Sequence, residues 1–388
     1  MRTSRTGRRV NPGAGRRSAP VPAVSVGRNW ADLEGVAVAT GDGAGSYAYI
    51  GSFTTAGGLG VTKAAVDPGT GALTVLGSND EVADPSYLAL SADGALLYAV
   101  SEADQGAVAA FRTDGEKPEL AAPPVPVHAA GPTHLTRYAD HVLTANYGSG
   151  SITSVPLTAD GTLAAVPSGI LQHEGSGPHP RRQQGPHAHQ VVTDPSGRWV
   201  VSVDLGTDSV RVCALDADGA PLLHRETALR PGSGPRHLAF HPEGRIAYVI
   251  NELTTSLTVC RWNPEEGRLN PLSEADLLPR APAGDALGSE VVVDPRGRFL
   301  WTATRGEDVI SLFTLDAGGE RPTLVGTVPC GGHWPRELAL SPSGRHLYTA
   351  NERSGQITWF AVDRESGTPR QLGSVETPAP SCVVFGDR

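Results

Sequence analysis

Lysine is almost missing from this 388-residue chain: Lys63 and Lys117 stand against 30 arginines. That bias is the mark of GC-rich coding and carries no functional meaning by itself. The four cysteines, Cys213, Cys260, Cys330 and Cys382, show no CxxC spacing. This excludes a disulfide framework or a zinc site and suits a reducing cytoplasm. No stretch approaches the roughly 18 apolar residues of a membrane span, so no membrane partner is expected. No GxSxG elbow is present, which removes a nucleophilic serine of the α/β-hydrolase kind. Apolar stripes of period 3.6 are absent too, and with them any helical solenoid.

The first forty residues lack what the rest of the chain has. They hold seven arginines and two acids among Gly, Ser and Pro, with no repeat pattern. Residues 1–45 are expected to be a disordered extension, most simply an overextended gene start. The apolar run around Val21 contains Pro22 and is too short for a secretory signal. The whole chain has a net charge of −9; without those seven arginines and two acids the remainder carries −14, which argues against nucleic acid as a partner.

What the chain does have is recurrence. GPRHLAFHPEGRIAYVINE at 234–252 returns as PRELALSPSGRHLYTANE at 335–352, as GSEVVVDPRGRFLWTATR at 288–305, and in looser form near 84, 131 and 186. With Tyr248 as the register mark, the equivalents are Tyr49, Tyr98, Leu143, Val201, Trp301 and Tyr348. Spacings near 50 residues mean a repeat architecture. Each unit alternates short runs rich in Val, Ile, Leu and Tyr with Gly, Pro, Asp and Ser, which is strand chemistry. Four antiparallel strands, A to D, fit each unit, so the fold class is all-β and the expected architecture a seven-bladed β-propeller over 46–388. The first unit lacks strand A, and PAPSCVVF at 378–385 fits that pattern at the other end. Pairing the two would close the ring. Cys213 and Cys260 share one strand C position and are expected to be buried.

In a propeller the start of strand A and the end of strand B lie at one face around the channel mouth. Reading those positions brings together His189, Arg236, Arg305, Arg336, Glu252 and Glu352, with Asn251 preceding Glu252. His134 and His237, one residue further along strand A, are expected to pack between blades by alternation.

Several motifs resemble one family: YIGSFT at 49–54, GPHAH at 185–189, GPRHLAFHP with NEL at 234–253, ATRGEDVISLF at 303–313, and PREL with TANERSG at 335–355. They are similar to the seven-bladed lactonases typified by bacterial 6-phosphogluconolactonase and related to fungal carboxy-muconate cyclase. The resemblance covers about 46–388. It implies His189, Arg236, Glu252 and Arg305 as catalytic residues. The activity it implies is hydrolysis of 6-phosphoglucono-1,5-lactone, a step of the pentose phosphate pathway.

The chemistry follows from such a substrate, an anion with an electrophilic ester carbonyl. Arginines bind the anion and stabilise the tetrahedral oxyanion. Glu252 is the expected base and His189 its acid/base partner; if Arg236 pairs with Glu252, the base role passes to His189. His187, Arg336, Asn251, Glu352 and Arg182 are the candidate substrate contacts, Arg182 against the simpler reading of a solvated loop charge. Calcium-dependent propeller lactonases exist, but the arginines at this mouth disfavour a dication, so no metal or other cofactor is expected. A monomer or weak homo-oligomer is anticipated. Two other readings stay open: a muconate-cyclase-like lyase on the same face, and a propeller serving as an interaction platform, although the WD and GH signatures of scaffold propellers are absent.

Overall fold

Alternating short apolar runs and tight turns produce sheets, and in a computed structural model that describes residues 46–386 they form seven of them. The arginine-rich segment 1–45 lies outside the described residues. Blade five is representative: strand A is Pro235–Phe240, B Ile246–Asn251, C Ser256–Asn263 and D Arg268–Asp276, hydrogen-bonded in that order. Strands A touch one another from blade to blade and line the channel, whereas strands D lie outermost. Burial follows that order. Ile246–Asn251 is buried throughout, while the outer strand Thr323–Pro329 alternates between exposed and half-buried residues.

The C-terminal strand Pro380–Gly386 pairs antiparallel with Ser46–Ser52 and supplies the strand A that the first blade lacks. One departure from four strands per blade occurs in blade two. Its outer position is filled by two short pieces, Glu119–Leu120 and Val125–Pro126, both paired with Ala107–Arg112. The prolines at 123, 124 and 126 account for the break, since proline donates no ladder hydrogen bond.

Seven apolar clusters fill the seven junctions between adjacent blades. The repeat's register residue lies inside them and also ties blades together. Tyr98 donates to Gly161 O at 2.6 Å, Tyr248 to Gly319 O at 2.6 Å, the Trp301 indole to Gly367 O at 2.9 Å, and Tyr348 to Gly71 O at 2.8 Å. Each acceptor sits in the strand C–D turn of the following blade. Gly71 and Gly319 have φ of +73° and +71°, and a Cβ there would lie 2.9 and 2.7 Å from the tyrosine oxygen. Glycine is therefore required twice over, by conformation and by closeness.

In six blades the ladder between A and B slips at the beginning of strand A. Pro235 pairs with Asn251, yet His237 pairs with Ile250, which leaves Arg236 as an extra residue; Thr133, His189, Arg336 and Ser381 are placed likewise, and the slip in blade six spans Ser289 and Glu290. A bulge breaks the alternation of side chains. Consecutive residues can then face the channel together. This corrects the expected packing of His134 and His237 between blades: their rings meet each other at 5.4 Å across blades three and five, and His134 stacks on Tyr87 of blade two at 3.7 Å.

Tyr348 closes the ring between the last blade and the first. Tyr348→Phe leaves the Gly71 carbonyl without its donor, and a loss of about 1–3 kcal/mol in unfolding free energy is expected. Chemical denaturation measures it; an unchanged midpoint would show that the hydrogen bond contributes nothing to closure.

Candidate active site

Glu252 ends the environment expected of a surface acid. Placed at the end of strand B in blade five, its side chain is 3% exposed and sits among three guanidinium groups. Oε1 accepts from Arg182 Nη2 at 2.5 Å, and Oε2 lies 2.8 Å from Arg305 Nη2 and 3.5 Å from Arg236 Nε. Burial on its own would raise the carboxyl's pKa. The charges of Arg305, Arg182 and Arg236 outweigh it and hold the group down at about 2.

The arginines come from different places. Arg236 occupies the bulge of blade five, and its Nη1 donates to the Ser289 carbonyl. Burial first, then Arg305 and Arg336, push its pKa down to about 9, which leaves it cationic at neutral pH. Arg305, at the end of strand B in blade six, donates to Gly288 O at 3.2 Å and lies over the Trp334 ring. Arg336, in the bulge of blade seven, contacts Glu352 at 3.3 Å and Glu102 at 3.7 Å. Arg182 comes from the connection before blade four and also reaches the Tyr147 hydroxyl at 3.3 Å.

His189 fills the bulge of blade four. Its ring stands edge-on to Tyr147 at 5.4 Å and to His237 at 5.0 Å, and Nδ1 is buried without a hydrogen-bond partner among the described residues. Burial, reinforced by Arg236, His237, Arg336 and Arg305, lowers its pKa well below the usual imidazole value. The ring is neutral at pH 7. His187 stacks on Tyr147 at 4.4 Å and its Nδ1 lies 2.8 Å from the Tyr147 carbonyl.

The expected catalytic residues His189, Arg236, Glu252 and Arg305 thus lie together, joined by Arg182 through Tyr147. Arg336 and Glu352 form a neighbouring pair. Asn251 has a different place from the substrate contact anticipated: it is fully buried and donates to Ser256 Oγ and Thr258 Oγ1 inside its own blade. Asn146 makes the same bonds in blade three.

Below the mouth lies a belt in which His237 meets two acids that sequence reasoning did not single out. His237 Nδ1 is 2.7 Å from Glu290 Oε2, and Glu337 Oε2 is buried without a partner among the described residues. Burial raises both carboxyls, Glu290 to about 7 and Glu337, with Glu290 beside it, well above the usual carboxylate range, while Arg236 opposes. The signal was present in the residue next to each bulge, but strict alternation hid its direction.

Clustered guanidiniums around Glu252, the Arg336–Glu352 pair and a neutral imidazole at one channel mouth suit an anion that undergoes proton transfer. The family model for "Lactonase, 7-bladed beta-propeller" matches residues 47–385, and the chain belongs to that family. It is 33% identical to the 6-phosphogluconolactonase of Bacillus subtilis over 276 residues, 69% of this chain and 77% of that protein. It is 30% identical to the 6-phosphogluconolactonase of Pectobacterium carotovorum over 57% of this chain and 64% of that one. Among solved structures, the periplasmic gluconolactonase PpgL of Pseudomonas aeruginosa superposes with a TM-score of 0.82 at 30% identity, covering 88% of this chain and 99% of that one.

Because the folded pKa of Glu252 lies below its ordinary value, the stability it contributes is fully present above about pH 4.5 and lost as pH falls toward 2. Glu252→Gln leaves three guanidiniums around a neutral amide, and about 3–5 kcal/mol of stability should vanish at pH 7. Denaturation from pH 7 to 3 should show the variant approaching wild type at the acid end. A constant difference over that range would mean that Glu252 is not held as a carboxylate.

Proposed function

We propose that this chain hydrolyses 6-phosphoglucono-1,5-lactone to 6-phosphogluconate. The observation that carries the reading is the cluster of Arg182, Arg236 and Arg305 on Glu252, a concentration of cationic donors suited to an anionic ester. The names of the Bacillus and Pectobacterium relatives support the phosphorylated lactone, and that of PpgL supports the same bond in an unphosphorylated one.

In the proposed reaction the oxygen of a water bonds to the lactone carbonyl carbon, and its proton passes to the pair His189 and Glu252. The carbonyl electrons become an oxyanion, for which Arg236 and Arg305 are the donors. Collapse restores the C=O, breaks the bond to the ring oxygen, and returns the proton to that oxygen as it becomes a hydroxyl. In the substrate-free geometry both oxygens of Glu252 face arginines, whereas His189 is neutral and offers a lone pair.

The reading is metal-free on grounds of charge, since guanidiniums repel a dication from this mouth. No helix among the described residues is long and apolar enough to cross a membrane. Location in the cytoplasm belongs to the same proposal and rests on four free cysteines, all buried; PpgL is named as periplasmic. Action as a monomer or weak homo-oligomer is likewise proposed.

A pH-stat assay with freshly generated lactone, corrected for spontaneous hydrolysis, tests the reading. Arg236→Ala and Arg305→Ala should each lower kcat/KM by about a hundred- to a thousandfold, roughly 3–4 kcal/mol of transition-state stabilisation. Unaltered kinetics with a lowered melting temperature would make them structural ion-pair residues. His189→Asn should reduce kcat, and EDTA should leave the wild-type rate unchanged; a rate lost with EDTA and restored by calcium would overturn the metal-free mechanism.

A further inference from the structure

Arg236 and Arg305 are packed into their strands, with side chains 3% and 7% exposed; Arg182 differs, at 33%. The main chain around Arg182 is held at both ends by blade four. Asp204 Oδ2 lies 2.6 Å from His173 Nδ1 and its Oδ1 accepts from the His187 N–H at 2.9 Å, while Gln183 donates to Leu205 O at 2.8 Å and Asp208 Oδ1 at 2.7 Å. A fixed backbone therefore carries a side chain with room to turn.

The two oxygens of Glu252 are divided accordingly. Oε2 faces the buried Arg305 and Arg236, and Oε1 faces Arg182. Only the second partner can leave without disturbing a blade.

We propose that Arg182 is a switch read by substrate charge: the phosphate of a phosphorylated sugar lactone draws its guanidinium from Glu252, and the freed Oε1 accepts the proton of the attacking water. This rests on the lactonase reading above. The attacking oxygen bonds to the carbonyl carbon, its proton moves to Oε1, and on collapse that proton goes to the departing ring oxygen; no other reactant is needed. Phosphate is a strong competitor for a guanidinium because it accepts two parallel hydrogen bonds. A carboxylate that loses one of three cations gains proton affinity and becomes a better base. Arg305, Arg236 and Arg336 from blades six, five and seven still face it, as do Tyr147 and the neutral His237, so the rise is partial. An unphosphorylated lactone leaves the switch closed.

The test compares kcat and KM for D-glucono-1,5-lactone and its 6-phosphate, using wild type, Arg182→Gln and Arg182→Lys. Wild type should prefer the phosphate ester. Arg182→Gln should cut that preference at least about tenfold, lowering kcat/KM for the phosphate ester while raising kcat for the plain lactone severalfold. Its acid limb on the plain lactone should move to higher pH, since Glu252 then needs a higher pH to lose its proton. Arg182→Lys, with charge but no fork, should fall between. A raised kcat cannot come from a misfolded variant. Equal losses on both substrates, a lowered kcat on the plain lactone, or a wild type indifferent to the phosphate would overturn the switch and leave the hydrolase reading intact. A wild type inert toward both lactones would overturn the hydrolase reading and the switch with it.

Discussion

Convergence at the channel mouth depends on blade packing against blade around a closed ring, which a hydrogen bond from a strand B aromatic to the turn of the next blade fixes at four junctions. Tyr98, Tyr248, Trp301 and Tyr348 each make it, and the last joins positions 277 residues apart in sequence. Apolar packing between blades is non-directional. A polar tip on a large apolar ring adds direction, because the ring fills the junction only when its oxygen or nitrogen meets the glycine carbonyl. The angle between blades, and so the diameter of the mouth, follows from that geometry together with the closing pair of end strands. Without closure, residues from 147 to 352 would have no reason to converge.

Convergence has an electrostatic cost that the site itself must offset. Guanidiniums crowd one another at the mouth, and burial lowers the proton affinity of Arg236 and Arg305. Glu252 is the common counter-ion, and it is dry enough for its interactions to be strong. Its carboxylate therefore does structural and electrostatic work before any substrate arrives. The remaining positive charge is available to an anionic ligand, as the proposed reaction on a charged lactone requires.

The fold was legible because repetition multiplies a weak signal. One five-residue apolar run could be a helix or a strand, whereas seven at one spacing with glycine and proline between them could not. The mouth residues were legible for the same reason, since topology assigns equivalent positions to one face. The direction of His134 and His237 was not, because a bulge is a property of the backbone that alternation cannot anticipate. Arg182 was half legible. Its type suited an anion, but its place depends on a connection whose anchor points, Asp204 and Asp208, become visible only when blades three and four are side by side.

That anchor shows how a repeat acquires function. Blades three, five and seven end strand B with asparagine, Asn146, Asn251 and Asn351, bonded to a threonine seven residues on, Thr153, Thr258 and Thr358. Blade four replaces both members. Asp204 stands for the asparagine, Arg211 for the threonine, and they meet at 3.0 Å with Asp204 fully buried. An acid is expensive to bury alone. The charge becomes tolerable with His173 and Arg211 beside it and the N–H groups of His187 and Thr207 donating to its other oxygen. A neutral amide could not serve all of these donors, because half of its polar end is itself a donor. The acid therefore suits the blade that must hold the long connection 173–187 on a fixed path, and that path delivers Arg182 to Glu252.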